Sequence, residues 1–290
     1  MSDVNLNSGR RTFLLQASAL IATAALPGGL VAQSDGALAT QSDAALDAPV
    51  DMEAIERQAV KIPNRDTLLK FNLDGTRKPF AGNTVICHLP VQCDLRDAMV
   101  ELHEELASAP FRHKLGLTST DSYHMTVFPG ANDQDRSQSG WPSYVPLDAT
   151  IESCNRAVQT RMQAARLRCE LPLRVRIDVT ETLNYFTACT LRMTPVDAEQ
   201  NAKLRALRDQ LASVYGFRTN DHDQYTFHIT MSYQIARFTD REQTLYRRIL
   251  RAHLRQMVKA APLLELGEPE YCVFPDMFRF EPKKLLTCLG

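Results

Sequence analysis

Two short runs of alternating side chains, residues 122–128 and 225–233, constrain this chain more than any other feature. Each carries a His-x-Thr triplet, His124-Met125-Thr126 in the first and His228-Ile229-Thr230 in the second. A strand has a side-chain period of two, so the histidine and threonine of each run face one way and the apolar residue between them the other. The same parity sets Ser232 beside His228 and Thr230, with Phe227, Ile229 and Met231 on the core-facing side. Each run therefore reads as a half-buried strand that presents an imidazole and a hydroxyl side by side.

The surrounding pattern repeats. Residues 83–89 are a β-type run, and Asp94 caps a helix through residue 107 with Leu95, Ala98, Met99, Leu102 and Leu106 on one face. After the strand at 122–128, residues 148–169 are helical, and 173–179 and 186–193 read as paired strands joined around 181–184. Asp197 caps a helix to about Tyr215, residues 240–260 form another, and the last strands fall near 270–274 and 277–280. Each half thus holds a helix followed by a His-x-Thr strand, the pattern of an internally duplicated α+β domain, although the halves share no recognisable repeat.

That domain is expected over residues 65–290. Ahead of it, residues 33–50 are Ala, Ser, Asp and Gln with hardly any large apolar side chains, and residues 52–61 make a short helix ended before Pro63. Residues 40–64 are therefore a linker and short helix, and residues 70–75 an extended piece closed by an Asp74-Gly75 turn.

Two imidazoles and two hydroxyls around one cavity suit cleavage of a phosphodiester. One imidazole takes a proton from the attacking water while the other gives one to the departing oxygen, and histidine does either near neutral pH. The threonine hydroxyls donate to non-bridging oxygens as charge builds there. These parts need no metal and no cofactor. One triplet is weak evidence, because a strand histidine can serve packing alone. Two triplets, 104 positions apart on matching strands, are harder to explain so, and none of the other five histidines has Thr or Ser two places on.

The segments Tyr123-His124-Met125-Thr126-Val127-Phe128 and Phe227-His228-Ile229-Thr230-Met231-Ser232-Tyr233 resemble the two motifs of the 2H phosphoesterase superfamily, similar to 2′,5′ RNA ligases and cyclic phosphodiesterases. The stretches 82–89 and 223–233 look more narrowly like an uncharacterised bacterial and fungal branch of it. The resemblance spans roughly residues 68–282. It implies a bilobal fold of two ferredoxin-like (RRM-like) halves with a central cleft, and metal-independent cleavage of 2′,3′-cyclic or 2′,5′-linked phosphodiesters. Family catalytic roles carry over to His124, Thr126, His228 and Thr230. Two other readings use the same residues: a nucleotide-binding module without turnover, and ligase-like transesterification.

Secondary candidates surround the triplets. Arg136 and Trp141 lie in the polar loop 129–142; either Arg136 holds a phosphate and Trp141 stacks on a base, or they are an exposed arginine and a structural tryptophan. Tyr233 is expected to line the cleft, whereas Tyr123 and Tyr225 fall by parity on the core side. Asp221-His222-Asp223 cannot converge on one ion from an extended loop. The basic helix after Asp240 is either an RNA-facing surface or a solvated face. The seven cysteines form no Cys-x-x-Cys pair and read as buried small hydrophobes or one or two disulfides.

With 33 Lys+Arg against 34 Asp+Glu the formal net charge is −1, so no global basic field points to a stable nucleic-acid complex. The expected substrate is a small nucleotide or an oligonucleotide end, its phosphate held locally. Residues 8–15 include Arg10-Arg11 followed by Phe13-Leu14-Leu15 and resemble a twin-arginine export signal. The apolar run 13–26 is too short to span a bilayer of roughly 30 Å as a helix. Ala37-Leu38-Ala39 offers a cleavage site, with Leu30-Val31-Ala32 as an alternative. Residues 1–39 are thus read as a leader engaging the twin-arginine translocase, which places the mature protein in the periplasm or outside the cell, unless the arginine pair is an accident in a disordered tail.

Overall fold

In a computed structural model of the chain, residues 44–286 are described. Among them, nine strands pair entirely antiparallel into two sheets. The first sheet has the order β3 (His124–Asn132), β1 (Gly82–His88), β8 (Glu270–Asp276) and β9 (Arg279–Leu285). The second has the order β2 (Leu115–Leu117), β6 (His228–Gln234), β5 (Ala188–Pro195), β4 (Leu173–Ile177) and β7 (Leu264–Leu266). This is the expected α+β arrangement, with one His-x-Thr strand in each sheet. The two lobes are not the two halves of the chain, however. The early strand β2 joins the second sheet beside β6, and the C-terminal pair β8–β9 completes the first.

The helices are α1 (Met52–Ala59), α2 (Arg65–Lys70), α3 (Asp94–Ser108), α4 (Ile151–Ala164), α5 (Val179–Asn184), α6 (Ala198–Tyr215) and α7 (Asp240–Ala260). Helix α3 buries Leu95, Ala98, Met99, Leu102 and Leu106, the stripe read from the sequence, and packs along α7. Its cap position is Cys93, and Asp94 instead occupies the first turn. Helix α7 starts at a capping box in which Thr239 and Glu242 satisfy each other's backbone N–H. Helix α6 is capped by Asp197 and ends at Gly216, whose φ of 75° is the left-handed conformation that glycine adopts freely. It packs against β3, β4 and β5 and so touches both sheets, while α4 covers β1, β8 and β9.

The packed unit begins before residue 65. Residues 52–59 form the expected short helix and bury Ile55 and Ala59, and Leu46 also lies in the hydrophobic core, so the chain around residue 46 is packed rather than solvated. Residues 181–184, read as a turn, belong to the short helix α5, whose N-cap Asp178 accepts from Glu181 N. Residues 65–70, not flagged as helical, form α2, and the expected Asp-Gly turn follows it with Gly75 at φ 83°. The proposed leader lies outside the described residues. No helix among the described residues is long and apolar enough to cross a membrane.

Candidate active site

Strands β3 and β6 carry the same irregularity at the same offset. On β1, Val85 and Ile86 pair with Phe128 and Thr126, which leaves Val127 as an extra residue in β3. On β5, Cys189 and Thr190 pair with Ser232 and Thr230, which leaves Met231 as an extra residue in β6. Each His-x-Thr is thus followed at once by a β-bulge. A bulge re-aims the side chains beyond it and frees a backbone carbonyl that must find another donor. Arg208 donates to the Val127 carbonyl at 2.6 Å, whereas the Met231 carbonyl accepts from the Thr118 backbone N–H at 3.0 Å and from the Thr118 hydroxyl at 2.9 Å.

The bulges correct one parity expectation. His124 and Thr126, like His228 and Thr230, are partly exposed on one face while Met125 and Ile229 are fully buried. Past the bulge the alternation inverts. Ser232 is fully buried, and Tyr233 and Pro129 turn into the cleft instead.

That cleft has a volume of about 360 Å³ and is lined by all four triplet residues together with Lys70, Thr118, Tyr225, Tyr233, Phe274 and Phe280. The two histidines are anchored identically. His124 Nδ1 lies 2.6 Å from the Ser122 carbonyl oxygen, and His228 Nδ1 lies 2.8 Å from that of Thr226, each two residues back. A carbonyl only accepts, so Nδ1 carries the hydrogen and donates in both rings. Nε2 is left in each as the nitrogen that can take or give a proton. Burial pulls His124 down to about 4, against the raising effect of the Ser122 carbonyl and with help from His88 and His228. Burial also lowers His228, opposed by the Thr226 carbonyl and reinforced by Arg192 and Lys70.

The threonines are oriented by neighbours. The Thr190 hydroxyl donates to Thr230 Oγ1 at 3.5 Å, and Tyr225 hydrogen-bonds Thr126. Tyr225, expected in the core, is only 6% exposed, yet its ring borders the cleft. Burial, opposed by Arg208, raises its phenol to about 12, so it stays neutral.

Several residues of the site carry no sequence signal of their own. Lys70, at the end of α2, donates to Asp66 at 2.8 Å and to the Tyr233 hydroxyl at 3.4 Å. Burial works against its charge, but the Tyr233 oxygen and the Asp66 carboxylate outweigh it and hold the ammonium above the usual lysine range. The only hint in the sequence is the Asp66–Lys70 spacing of a helical ion pair. His88 lies directly across the strand pair from His124, and Arg192 stands in the corresponding place across from His228.

Arg136 and Trp141 are not brought to the cleft. Arg136 donates to the Leu147 and Ala149 carbonyls, each at 2.6 Å, pairs with Asp133, and stacks on the Trp141 ring at 4.2 Å. Trp141 is buried, with its indole N–H on the Val145 carbonyl. Both are tied to the loop's own structure. Asp221, His222 and Asp223 diverge: Asp221 faces the cleft, His222 bonds Asp209, and Asp223 bonds Arg218. Among the described residues, His88, Glu270 and Cys272 alone bring potential metal-ligand atoms together, all within 4.8 Å. Here His88 Nδ1 is engaged by Glu270 at 2.5 Å, and burial beside that carboxylate pushes the Cys272 thiol up, away from the thiolate a metal requires.

Residues 70–185 match the family model 2H-phosphodiest, described as a domain of unknown function (DUF1868). The match contains His124 and Thr126 and stops short of His228. The fold is similar to that of a conserved protein of unknown function from Agrobacterium tumefaciens str. C58, at 28% identity and a TM-score of 0.67, over 75% of this chain and 90% of that one. Looser likenesses are to a structure described as a phosphoesterase (14% identity, TM-score 0.40, 73% of this chain and 100% of that one) and to a protein of Thermus thermophilus (14%, 0.36, 72% and 99%). At that distance they say nothing of chemistry. No curated protein matches the sequence.

Proposed function

We propose that the protein is a cyclic phosphodiesterase, which hydrolyses a 2′,3′-cyclic or 2′,5′-linked phosphodiester in a small nucleotide or at an RNA end. The observation that carries this reading is the identical anchoring of two imidazoles through Nδ1, with both Nε2 atoms left to serve one cleft. A sensor would need anion donors but not two matched proton carriers.

His124, which burial keeps neutral, is assigned as the base: its Nε2 removes a proton from water as the water oxygen bonds to phosphorus. His228 gives its Nε2 proton to the ribose oxygen as the P–O bond breaks. The bound phosphate's negative charge favours the imidazolium form that this step needs. Thr126 and Thr230 donate to the non-bridging oxygens, and the Lys70 ammonium offsets their charge. Phe274, Phe280 and Tyr233 supply the aromatic wall for a base that Trp141 does not. These steps need neither a metal nor a cofactor.

The test is a panel of 2′,3′-cyclic nucleotides and 2′,5′-linked dinucleotides in EDTA. The proposal expects turnover that EDTA leaves unchanged. Inhibition reversed by a divalent ion overturns the metal-independent mechanism, and binding without turnover across the panel replaces the enzyme with a sensor. Ligase-like joining of RNA ends would show instead as a longer product.

We also propose export by the twin-arginine route, on the strength of Arg10-Arg11 and the short apolar run behind it. A reporter fused after residue 45 should reach the periplasm, and the Arg10→Lys/Arg11→Lys variant should keep it inside. Unchanged export in that variant rules the route out.

A further inference from the structure

The basic helix α7 has a second role to explain. Between α1 and α7, away from the catalytic cleft, lies a cavity of about 560 Å³. Five arginines border it, Arg237, Arg247, Arg248, Arg251 and Arg255, against two carboxylates, Glu56 and Asp240. Arg237 is paired with Glu56 and Arg255 with Asp47. Arg247, Arg248 and Arg251 have no carboxylate partner among the described residues.

The unmet donors are concentrated on one stripe. Gln243, Arg247 and Arg251 succeed one another every fourth residue, so they share a face of α7. Of the fourteen buried side-chain polar atoms without a hydrogen-bond partner among the described residues, five are here: both amide atoms of Gln243, Nε and Nη2 of Arg247, and Nε of Arg251. Arg247 Nη1 reaches only the Met52 thioether, a weak acceptor, at 3.1 Å, while Arg251 keeps Nε unpaired and donates through Nη2 to the Ala48 carbonyl at 2.9 Å. A buried guanidinium N–H with no acceptor is costly, and arginine forks match the oxygens of phosphate in particular. Burial and the neighbouring Arg251 charge both lower the Arg247 pKa, the strain that a bound anion would relieve. Ile55, Phe186 and Phe238 also line the cavity and give it an apolar part.

We propose that this cavity is a second ligand site, which takes a small organic phosphate: the anionic head on Arg247, Arg251 and Gln243, and the apolar or aromatic body against Phe186 and Phe238. Its volume lies in the range of sites that enclose a molecule of that size. The site is independent of the catalytic proposal and stands whether or not the cleft turns over a diester.

The test is calorimetric titration of the full chain with adenosine monophosphate, pyrophosphate and adenosine, repeated on two variants. Arg247→Gln/Arg251→Gln removes the arginine stripe; His124→Ala/His228→Ala alters the cleft only. Adenosine monophosphate and pyrophosphate should show one binding event, separate from any at the cleft, that is alike in the wild type and the histidine variant and at least tenfold weaker in the arginine variant, and adenosine should bind there at least tenfold more weakly than its phosphate. Should the double variant not fold, Arg248→Gln at the cavity border should still weaken binding severalfold. No binding to the wild type, binding retained without the arginines, binding lost with the histidines, or adenosine equal to its phosphate would each overturn the proposal.

Discussion

Acidification should loosen this fold through His124 in particular. In the folded protein, burial holds that imidazole to about 4, whereas an unfolded histidine titrates near ~6.5. Above pH 6.5 neither state is protonated there, and the full stability is present. As the pH falls below 6.5 the unfolded chain takes up a proton that the folded one refuses, so stability declines, and the loss is complete once the pH is below about 4. For a shift of that size, linkage gives a loss of about 2 kcal/mol at pH 5. The ring keeps part of its surface in the cleft, so solvent screening trims the expected loss to about 1–2 kcal/mol. The assay is urea unfolding of the wild type and His124→Gln at pH 7.5 and pH 5. Groups away from the cleft titrate equally in both proteins, and the loss of His124 charge eases protonation of His88 and His228 in the folded variant, so the wild type should lose about 1–2 kcal/mol more than the variant over this interval. Parallel losses, or a larger loss in the variant, would refute the reasoning that burial keeps His124 neutral.

Three substitutions separate the cleft from its scaffold. Lys70→Met should lower kcat/KM about 10–100-fold, mainly through KM, as expected for a lost charge-assisted contact of about 1.5–3 kcal/mol, with little change in Tm. Arg136→Ala should leave kcat/KM unchanged but destabilise by about 1–3 kcal/mol, since it breaks two hydrogen bonds to loop carbonyls and the stack on Trp141; a selective loss of activity would return Arg136 to the site. Gly130→Ala would place a Cβ 2.4 Å from the Asn83 carbonyl oxygen and 2.6 Å from the Tyr215 hydroxyl oxygen, so both Tm and kcat/KM should fall, and an unchanged melting curve would argue against this packing.

Much of this site was legible in the sequence because it follows from short-range rules. Strand parity set His124 beside Thr126 and His228 beside Thr230, and the apolar stripe of α3 came directly from its spacing. Parity failed one step later. A bulge adds one residue to one strand, and nothing in Thr126-Val127-Phe128 or Thr230-Met231-Ser232 marks it; it appears only when the partner strand is in register. Ser232 was therefore placed in the cleft when it is buried. Tyr225, expected in the core by the same count, is in the core, and the edge of the cleft that it also borders is what the count does not show. Lys70 and His88 were missed for a different reason. Lys70 reaches the cleft by tertiary packing, from a helix 54 positions before His124, and His88 stands beside His124 at the end of β1 without lining the cleft. The exchange of strands between lobes is likewise a long-range matter, because local periodicity identifies a strand but not its sheet. The polar loop misled through composition, since arginine and tryptophan side by side suit a nucleotide as well as each other.

The central claim is that His124 and His228 act as one unit, a base and an acid in the same displacement. Its most direct test is kcat on one turned-over cyclic nucleotide for the wild type, His124→Ala, His228→Ala and the double variant. Groups that serve a single step are strongly non-additive. Each single variant should lose about 10²–10⁴-fold, and the double variant no more than about tenfold beyond the worse of them. Losses that multiply in full in the double variant, or a single variant that keeps wild-type turnover, would contradict the account.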